Sequence, residues 1–237
     1  MPSNFFYIPM TRRETALGWC WFFLQALVLP VLVSVIPGLS PAISNFLFYV
    51  INFATVLILF HRFLRESAWD LPGRIGGILW KAALALVLNI VATTVMNDLI
   101  WFYIPQYYIY TDMGPAFYNI NDQIIAQMVQ EHYVLMAIGS IVLVPVAEEL
   151  LHRGVIFGSL WTKSPVIACI VSVLVFCAVH MIGYIGHIND SIYLVLSFVQ
   201  YIPSSLFLIW LYVSTDSIYA PILMHMAYNA IGILSLR

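Results

Sequence analysis

Seven stretches of this chain, 17–36, 43–60, 78–103, 133–160, 166–183, 192–213 and 218–234, are apolar almost throughout. Each comes near the length that crosses a bilayer as a helix, about 20 residues at 1.5 Å per residue. In lipid the backbone must satisfy its own polar groups, which only helices and closed barrels do. The two-residue alternation of a barrel strand is missing from these runs. The expected fold is therefore all-α: a polytopic transmembrane bundle of about seven to eight helices, forming one integral-membrane domain over 1–237, with a motif-bearing core at about 133–234. Only 8% of residues are charged and 62% are hydrophobic, against roughly 25% charged in soluble proteins. The first run follows Arg12 and Arg13, as a secretory signal core follows its charged start. It is too long for a signal core and ends in Ile36-Pro37-Gly38, so a first transmembrane helix is expected there.

Nine Lys plus Arg against eleven Asp plus Glu give a formal net charge of −2, with no basic block. A nucleic-acid backbone is excluded as a partner; the lipid bilayer is the implied one. Lys and Arg cluster at Arg12 and Arg13, at Arg62, Arg65, Arg74 and Lys81, and at Arg153 and Lys163, while the connections 37–42, 104–132 and 184–191 carry none. The positive-inside rule then places the N-terminus in the cytoplasm of a bacterial-type cell membrane and those three connections outside, with Arg237 the one discordant charge. Cys20, Cys169 and Cys177 all fall in apolar runs and form no CxxC pair, so they are expected as small buried hydrophobes.

The connection 104–132 holds Tyr107, Tyr108, Tyr110, Phe117 and Tyr118, rings suited to the headgroup level. Its second half opens on the helix-capping residues Asn121 and Asp122 and places Ile124, Ile125, Met128 and Val129 on one stripe. That pattern predicts an interfacial helix or a lid over a substrate site.

Polar groups break the apolar pattern at four places in the C-terminal half. Glu148-Glu149-x-x-x-Arg153 lies inside the fourth run, where an ionisable residue costs a few kcal/mol on insertion scales. Glu149 and Arg153, four apart in acid-before-base order, can pair on one helix face and leave Glu148 facing elsewhere. A structural ion pair accounts for Glu149; it does not account for Glu148. Phe176-x-x-x-His180 lies near the far end of the fifth run, and His225-x-x-x-Asn229 lies on the last. Counted from a membrane border near Lys163, Glu148 and His180 both reach a depth of about 20 Å, and from a border near Ser217 Asn229 reaches about 18 Å and His225 about 12 Å. Taken alone, His180 fits a satisfied core histidine, and His225 with Asn229 fits an interhelical hydrogen bond; together the groups form one polar layer. Gly154-x-x-x-Gly158 and Gly73-x-x-x-Gly77 are spacings that admit close helix packing.

A carboxylate and histidine around a water can generate a nucleophile, and neighbouring donors can stabilise the oxyanion formed when it adds to a peptide carbonyl. The residues therefore point to amide hydrolysis, with Glu148 and His180 around the water and His225 and Asn229 at the oxyanion. Glu148, His180 and His225 could also form a three-ligand zinc site with an open position, but no HExxH is present and the Glu-led pair fits the metal-free mechanism better. A proton-coupled transporter would also use such groups, but matching halves with broken helices are not evident.

The three motifs, in this order on three late hydrophobic runs, resemble those of the CPBP family. This family comprises the CAAX-processing and bacteriocin-processing intramembrane proteases, also called Abi proteins, and includes the eukaryotic type II CAAX prenyl endopeptidase. The resemblance covers about 145–233. It implies a glutamate-dependent intramembrane peptidase without a cofactor, in which Glu148 and His180 activate water, His225 and Asn229 form the oxyanion hole, and Glu149, Arg153 and Phe176 support them. A zinc-dependent version held by Glu148, His180 and His225 is the alternative. The implied partner is a peptide or protein substrate in or at the membrane, CAAX-like or a leader peptide. A bacteriocin self-immunity or regulatory protein on the same fold is the competing function.

Overall fold

The computed structural model describes residues 8–104, 109–111, 114–116, 119–184 and 190–236, the two short stretches by backbone alone. Among these residues nine helices run in chain order: α1 (Arg12–Ser34), α2 (Pro41–Leu59), α3 (His61–Trp69), α4 (Ile75–Tyr103), α5 (Ile120–Glu131), α6 (Tyr133–Trp161), α7 (Pro165–Tyr184), α8 (Ser191–Thr215) and α9 (Tyr219–Ser235). Six of them, α1, α2, α4, α6, α7 and α8, are long and apolar enough to cross a membrane. The seventh long helix, α9, has 17 residues. The all-α polytopic bundle expected from the apolar runs is borne out, and the protein is an integral membrane protein. Between α4 and α5 the chain adds a small antiparallel ribbon, β1 (Ile109–Thr111) with β2 (Gly114–Ala116), which hydropathy does not foretell. The headgroup-level placement of Tyr107, Tyr108, Phe117 and Tyr118 falls outside the described residues, as do the Tyr110 side chain and Arg237.

Local chemistry sets where the helices begin. Thr11 and Glu14 form a capping box at α1, the Thr11 side chain accepting from the Glu14 N–H at 3.1 Å and Glu14 Oε2 accepting from the Thr11 N–H at 2.7 Å. Ser40 and Ser164 cap α2 and α7, each followed by a proline whose missing N–H costs nothing in a first turn. Asp190 caps α8, which ends at Asp216 in a left-handed conformation (φ 47°).

Exposed apolar residues such as Val31, Ile58, Trp80 and Val166 face outward, as lipid-facing positions should. Inside, Phe22, Phe60, Val155, Phe157, Ile209 and Tyr212 build the main core between α1, α2, α6, α8 and the start of α9. Hydrogen bonds from Gln200 to Asn97 (2.6 Å) and from Ser204 to Asn89 (3.1 Å) tie α8 to α4. Of the three cysteines only Cys177 is buried; Cys20 is exposed on α1 and Cys169 is half-buried, so burial as small core residues holds for one of them. Close helix contact also falls elsewhere than the Gly-x-x-x-Gly spacings. A Cβ at Gly18 would lie 2.4 Å from a Val155 methyl and one at Gly139 would lie 2.5 Å from the Tyr49 ring, whereas Gly73 and Gly77 meet nothing within 4 Å. At Gly154 the neighbour is the flexible Met10 side chain rather than a helix.

One end of the bundle gathers the cations. Arg62 on α3 pairs with Glu14 and Glu66, Arg74 reaches Asp70 and the Thr215 carbonyl, and Lys81 reaches the Ser214 carbonyl. The last two satisfy carbonyls at the C-terminal end of α8, where the helix dipole favours positive charge. At the opposite end α5 lies against the bundle, with Ile125, Met128 and Val129 packed among Ala42, Met136 and Ile233.

Candidate active site

Helix α6 carries the paired carboxylates on a short α-helical piece, Val144–Glu149, set between two π-helical segments, Gly139–Leu143 and Leu150–Phe157. Pro145 lies in the first turn of that piece, where it can give no N–H to the helix, so the wider preceding turn is compatible with it. π segments inside α-helices mark functional sites more often than ordinary helix does. Every residue from Leu150 to Phe157 is buried, Arg153 included.

Glu148 and Glu149 face different surroundings. Glu149 is fully buried and forms an ion pair with Arg153, with Arg153 Nη1 donating to Oε1 at 3.2 Å and Nε 3.2 Å from Oε2. Arg153 also donates from Nη2 to the Ser205 carbonyl and hydroxyl on α8, both at 3.2 Å, and its guanidinium lies 4.5 Å from the centre of the Phe176 ring. A buried pair survives only with such additional partners, because desolvating two ions costs several kcal/mol each. Glu148 keeps 22% of its side chain accessible. Its Oε1 lies 3.9 Å from His180 Nε2 and its Oε2 3.9 Å from His225 Nε2, both beyond hydrogen-bond reach.

The histidines are oriented through their other nitrogens. His180 Nδ1 donates to the Phe176 carbonyl at 2.8 Å, since a carbonyl can only accept. His225 Nδ1 lies 2.8 Å from Glu149 Oε1. In both rings this leaves Nε2 directed at Glu148. Asn229 donates from Nδ2 to the Ser140 carbonyl of α6 at 2.8 Å. One of its two amide hydrogens is thus taken by the backbone, whereas the motif alone had both His225 and Asn229 directed at a shared water.

Phe176 lies at the junction of these groups. Its ring centre is 4.8 Å from that of His180, 5.2 Å from His152 and 6.3 Å from His225. The structure thus brings Glu148, His180 and His225 to one point, places Glu149, Arg153 and Phe176 directly behind them, and holds Asn229 against α6. Four contributors carried no recognisable signal in the sequence. Tyr201 of α8 lies over His180 with ring centres 4.2 Å apart, and its own ring centre is 6.3 Å from that of Phe176. His152, buried between Phe22 and Phe176, lies within the first motif but had no role. Ser205 and Ser140 act through isolated contacts that no spacing rule reaches.

Among the described residues no cluster of three or more His, Cys, Asp or Glu is disposed to close on a metal ion as placed. The donor chemistry nevertheless fits one. Glu148 and two Nε2 atoms converge, and each histidine is backed by a carbonyl or carboxylate of the kind that orients metal-binding imidazoles.

Residues 130–231 match a family model described as type II CAAX prenyl endopeptidase Rce1-like. The match contains all three motifs, so the motif-bearing part of the chain is similar to the CAAX protease family, as the motifs themselves indicated. No curated protein and no solved structure gives a significant match.

Proposed function

We propose that this chain, an intramembrane protease of the CAAX family, hydrolyses a peptide bond in a membrane-associated substrate, CAAX-like or a leader peptide, with water activated by Glu148. The observation that carries this reading is the single accessible carboxylate lying 3.9 Å from two imidazole nitrogens. A separation beyond direct contact is one that a water bonded to both sides can span.

In the proposed cycle Glu148 takes a proton from the water while His180 Nε2 holds it, and the oxygen adds to the scissile carbonyl carbon. The carbonyl π pair moves to oxygen as an oxyanion. When the carbonyl re-forms, the C–N bond breaks, and the proton held by Glu148 passes to the leaving nitrogen. The products are a carboxylic acid, which ionises, and an amine. Asn229 donates to the oxyanion through the amide hydrogen that Ser140 does not take. His225 can donate from Nε2 only while both ring nitrogens carry protons, and the Glu149 carboxylate at Nδ1 is the anion that balances such a charge. Arg153 keeps Glu149 in place for that purpose.

The paired Nε2 orientation also favours a second reading, in which Glu148, His180 and His225 hold a zinc ion. The ion would supply Lewis acidity toward water and carbonyl. The experiment for the main reading incubates the purified full chain in detergent with a membrane-peptide library and identifies products by mass spectrometry, beside Glu148→Gln. Cleavage that falls at least ~10²-fold in the variant is expected for loss of a general base. Near-normal cleavage by Glu148→Gln would sink the mechanism, and absence of cleavage by the wild type would favour a binding or immunity role.

A further inference from the structure

We propose that Pro145 is a positioning residue for Asn229. By leaving the Ser140 carbonyl without a backbone donor, the proline creates a fixed acceptor on α6 that holds one amide hydrogen of Asn229 and so aims the other. The consequence for turnover rests on the hydrolytic reading above, whereas the coupling between Pro145 and Asn229 does not.

The backbone hydrogen bonds of α6 run out at one carbonyl. In an α-helix Ser140 would accept from residue 144, four positions on, and in a π turn from residue 145, five positions on. Val144 gives its N–H to the Gly139 carbonyl instead. Residue 145 is proline and has no N–H to give. Gly139 thus keeps a donor inside the helix, and Ser140 loses both of the donors open to it. Ser140 is only 7% exposed and lies within a membrane-spanning helix, so its carbonyl has to find a partner inside the protein.

That partner comes from another helix. Asn229 Nδ2 on α9 donates to the Ser140 carbonyl at 2.8 Å. A carboxamide is planar and carries both hydrogens on one nitrogen. Once the first is bound, the direction of the second is set. A helix carbonyl suits this task because it cannot swing between rotamers as a side-chain acceptor can.

The turn that offers the carbonyl is braced from α2. The Tyr49 ring lies against Gly139, where a Cβ would stand 2.5 Å from it, and Asn45 donates to the Tyr49 hydroxyl at 2.7 Å. Helices α6 and α9 are therefore fastened at two points, His225 to Glu149 and Asn229 to Ser140. The first fastening joins two charged or titratable side chains of the motifs. The second depends on a carbonyl that is free only because a proline follows five positions later.

The test is a pair of double-mutant cycles on the full chain purified in detergent. Pro145→Ala returns an N–H to the position from which Ser140 can be satisfied within α6. In the wild type, Asn229→Ala strips a buried carbonyl of its partner, and the thermal midpoint is expected to fall by roughly 2–10 °C. In the Pro145→Ala background the same change is expected to cost little, because the restored N–H takes the carbonyl. Equal falls in both backgrounds overturn the proposal. Should Asn229→Ala fail to accumulate, Asn229→Leu takes its place with the same outcomes. The second cycle reads kcat and KM on a peptide that the wild type cleaves. Pro145→Ala is expected to keep the midpoint at or above wild type, since proline disfavours a helix. It is nevertheless expected to lower kcat toward the roughly 10²- to 10³-fold loss that follows removal of one oxyanion donor, with KM little changed. That loss should vanish when Asn229 is already alanine. An unchanged kcat, a loss that persists in full without Asn229, or a midpoint that falls in step with kcat overturns the positioning role. The midpoint cycle needs no turnover. If the wild type cleaves nothing, the hydrolytic reading falls and the midpoints still decide the coupling; if the midpoints are additive, the coupling falls and the hydrolytic reading stands.

Discussion

His225 Nδ1 lies 2.8 Å from Glu149 Oε1, the same oxygen to which Arg153 donates at 3.2 Å. The second carboxylate of the pair therefore serves two helices at once. It neutralises an arginine on its own helix and fixes the ring of a histidine on α9, so that His225 Nε2 faces Glu148.

Arg153→Ala should lower folded yield and thermal midpoint in detergent along with activity. It leaves Glu149 buried with only His225 as partner, and removing one member of a buried ion pair costs about 3–5 kcal/mol. A thermal midpoint equal to wild type would show that the pair contributes nothing to the fold.

Tyr201 should act on turnover through the His180 ring that it covers. Tyr201→Phe retains the ring and is expected to keep kcat, whereas Tyr201→Ala releases one face of the imidazole. Since an aromatic pair contributes about 0.5–1.5 kcal/mol, a fall in kcat of roughly 2- to 10-fold with little change in KM is expected. A Tyr201→Phe variant as impaired as Tyr201→Ala would assign the effect to the hydroxyl and its bond to Asn119 instead.

Chelation separates the two hydrolytic readings. Activity of the purified protein is expected to survive prolonged treatment with 1,10-phenanthroline, and elemental analysis should find no stoichiometric zinc. Loss of activity restored by added zinc, together with one zinc per chain, would transfer Glu148, His180 and His225 to metal binding.

Gly18→Ala should destabilise the protein without touching the site chemistry. The added methyl would meet Val155 at 2.4 Å and Phe60 at 3.0 Å, and overpacking of this kind costs about 1–3 kcal/mol. The check is the thermal midpoint of the variant beside Gly18→Ser, which is expected to be at least as damaging.

The bundle was legible in the sequence because bilayer thickness imposes a length on each apolar run. The expected run 133–160 and the observed α6, Tyr133–Trp161, differ by a single residue. The pairing of Glu149 with Arg153 follows from helical spacing alone and is present. What spacing could not supply is anything that depends on how helices face one another. The His225 contact to Glu149 joins residues 76 positions apart, and Tyr201 reaches His180 from a helix without a motif. The π-helical segments leave no compositional trace, and Gly18 and Gly139 make close approaches that no Gly-x-x-x-Gly spacing marks. The α5 stripe suggested an interfacial helix or a lid; its contacts with Ala42, Met136 and Ile233 show that it lies on the bundle.

The apolar floor beneath Glu149 and Arg153 has an electrical consequence. The packed rings of Phe22, Phe157 and Tyr212 close that side of the polar layer to water. A proton exchanged by Glu148 then has no wetted path through them across a membrane whose voltage is worth about 2.3 kcal/mol per elementary charge for every 100 mV. The floor thus keeps the polar layer from becoming a leak.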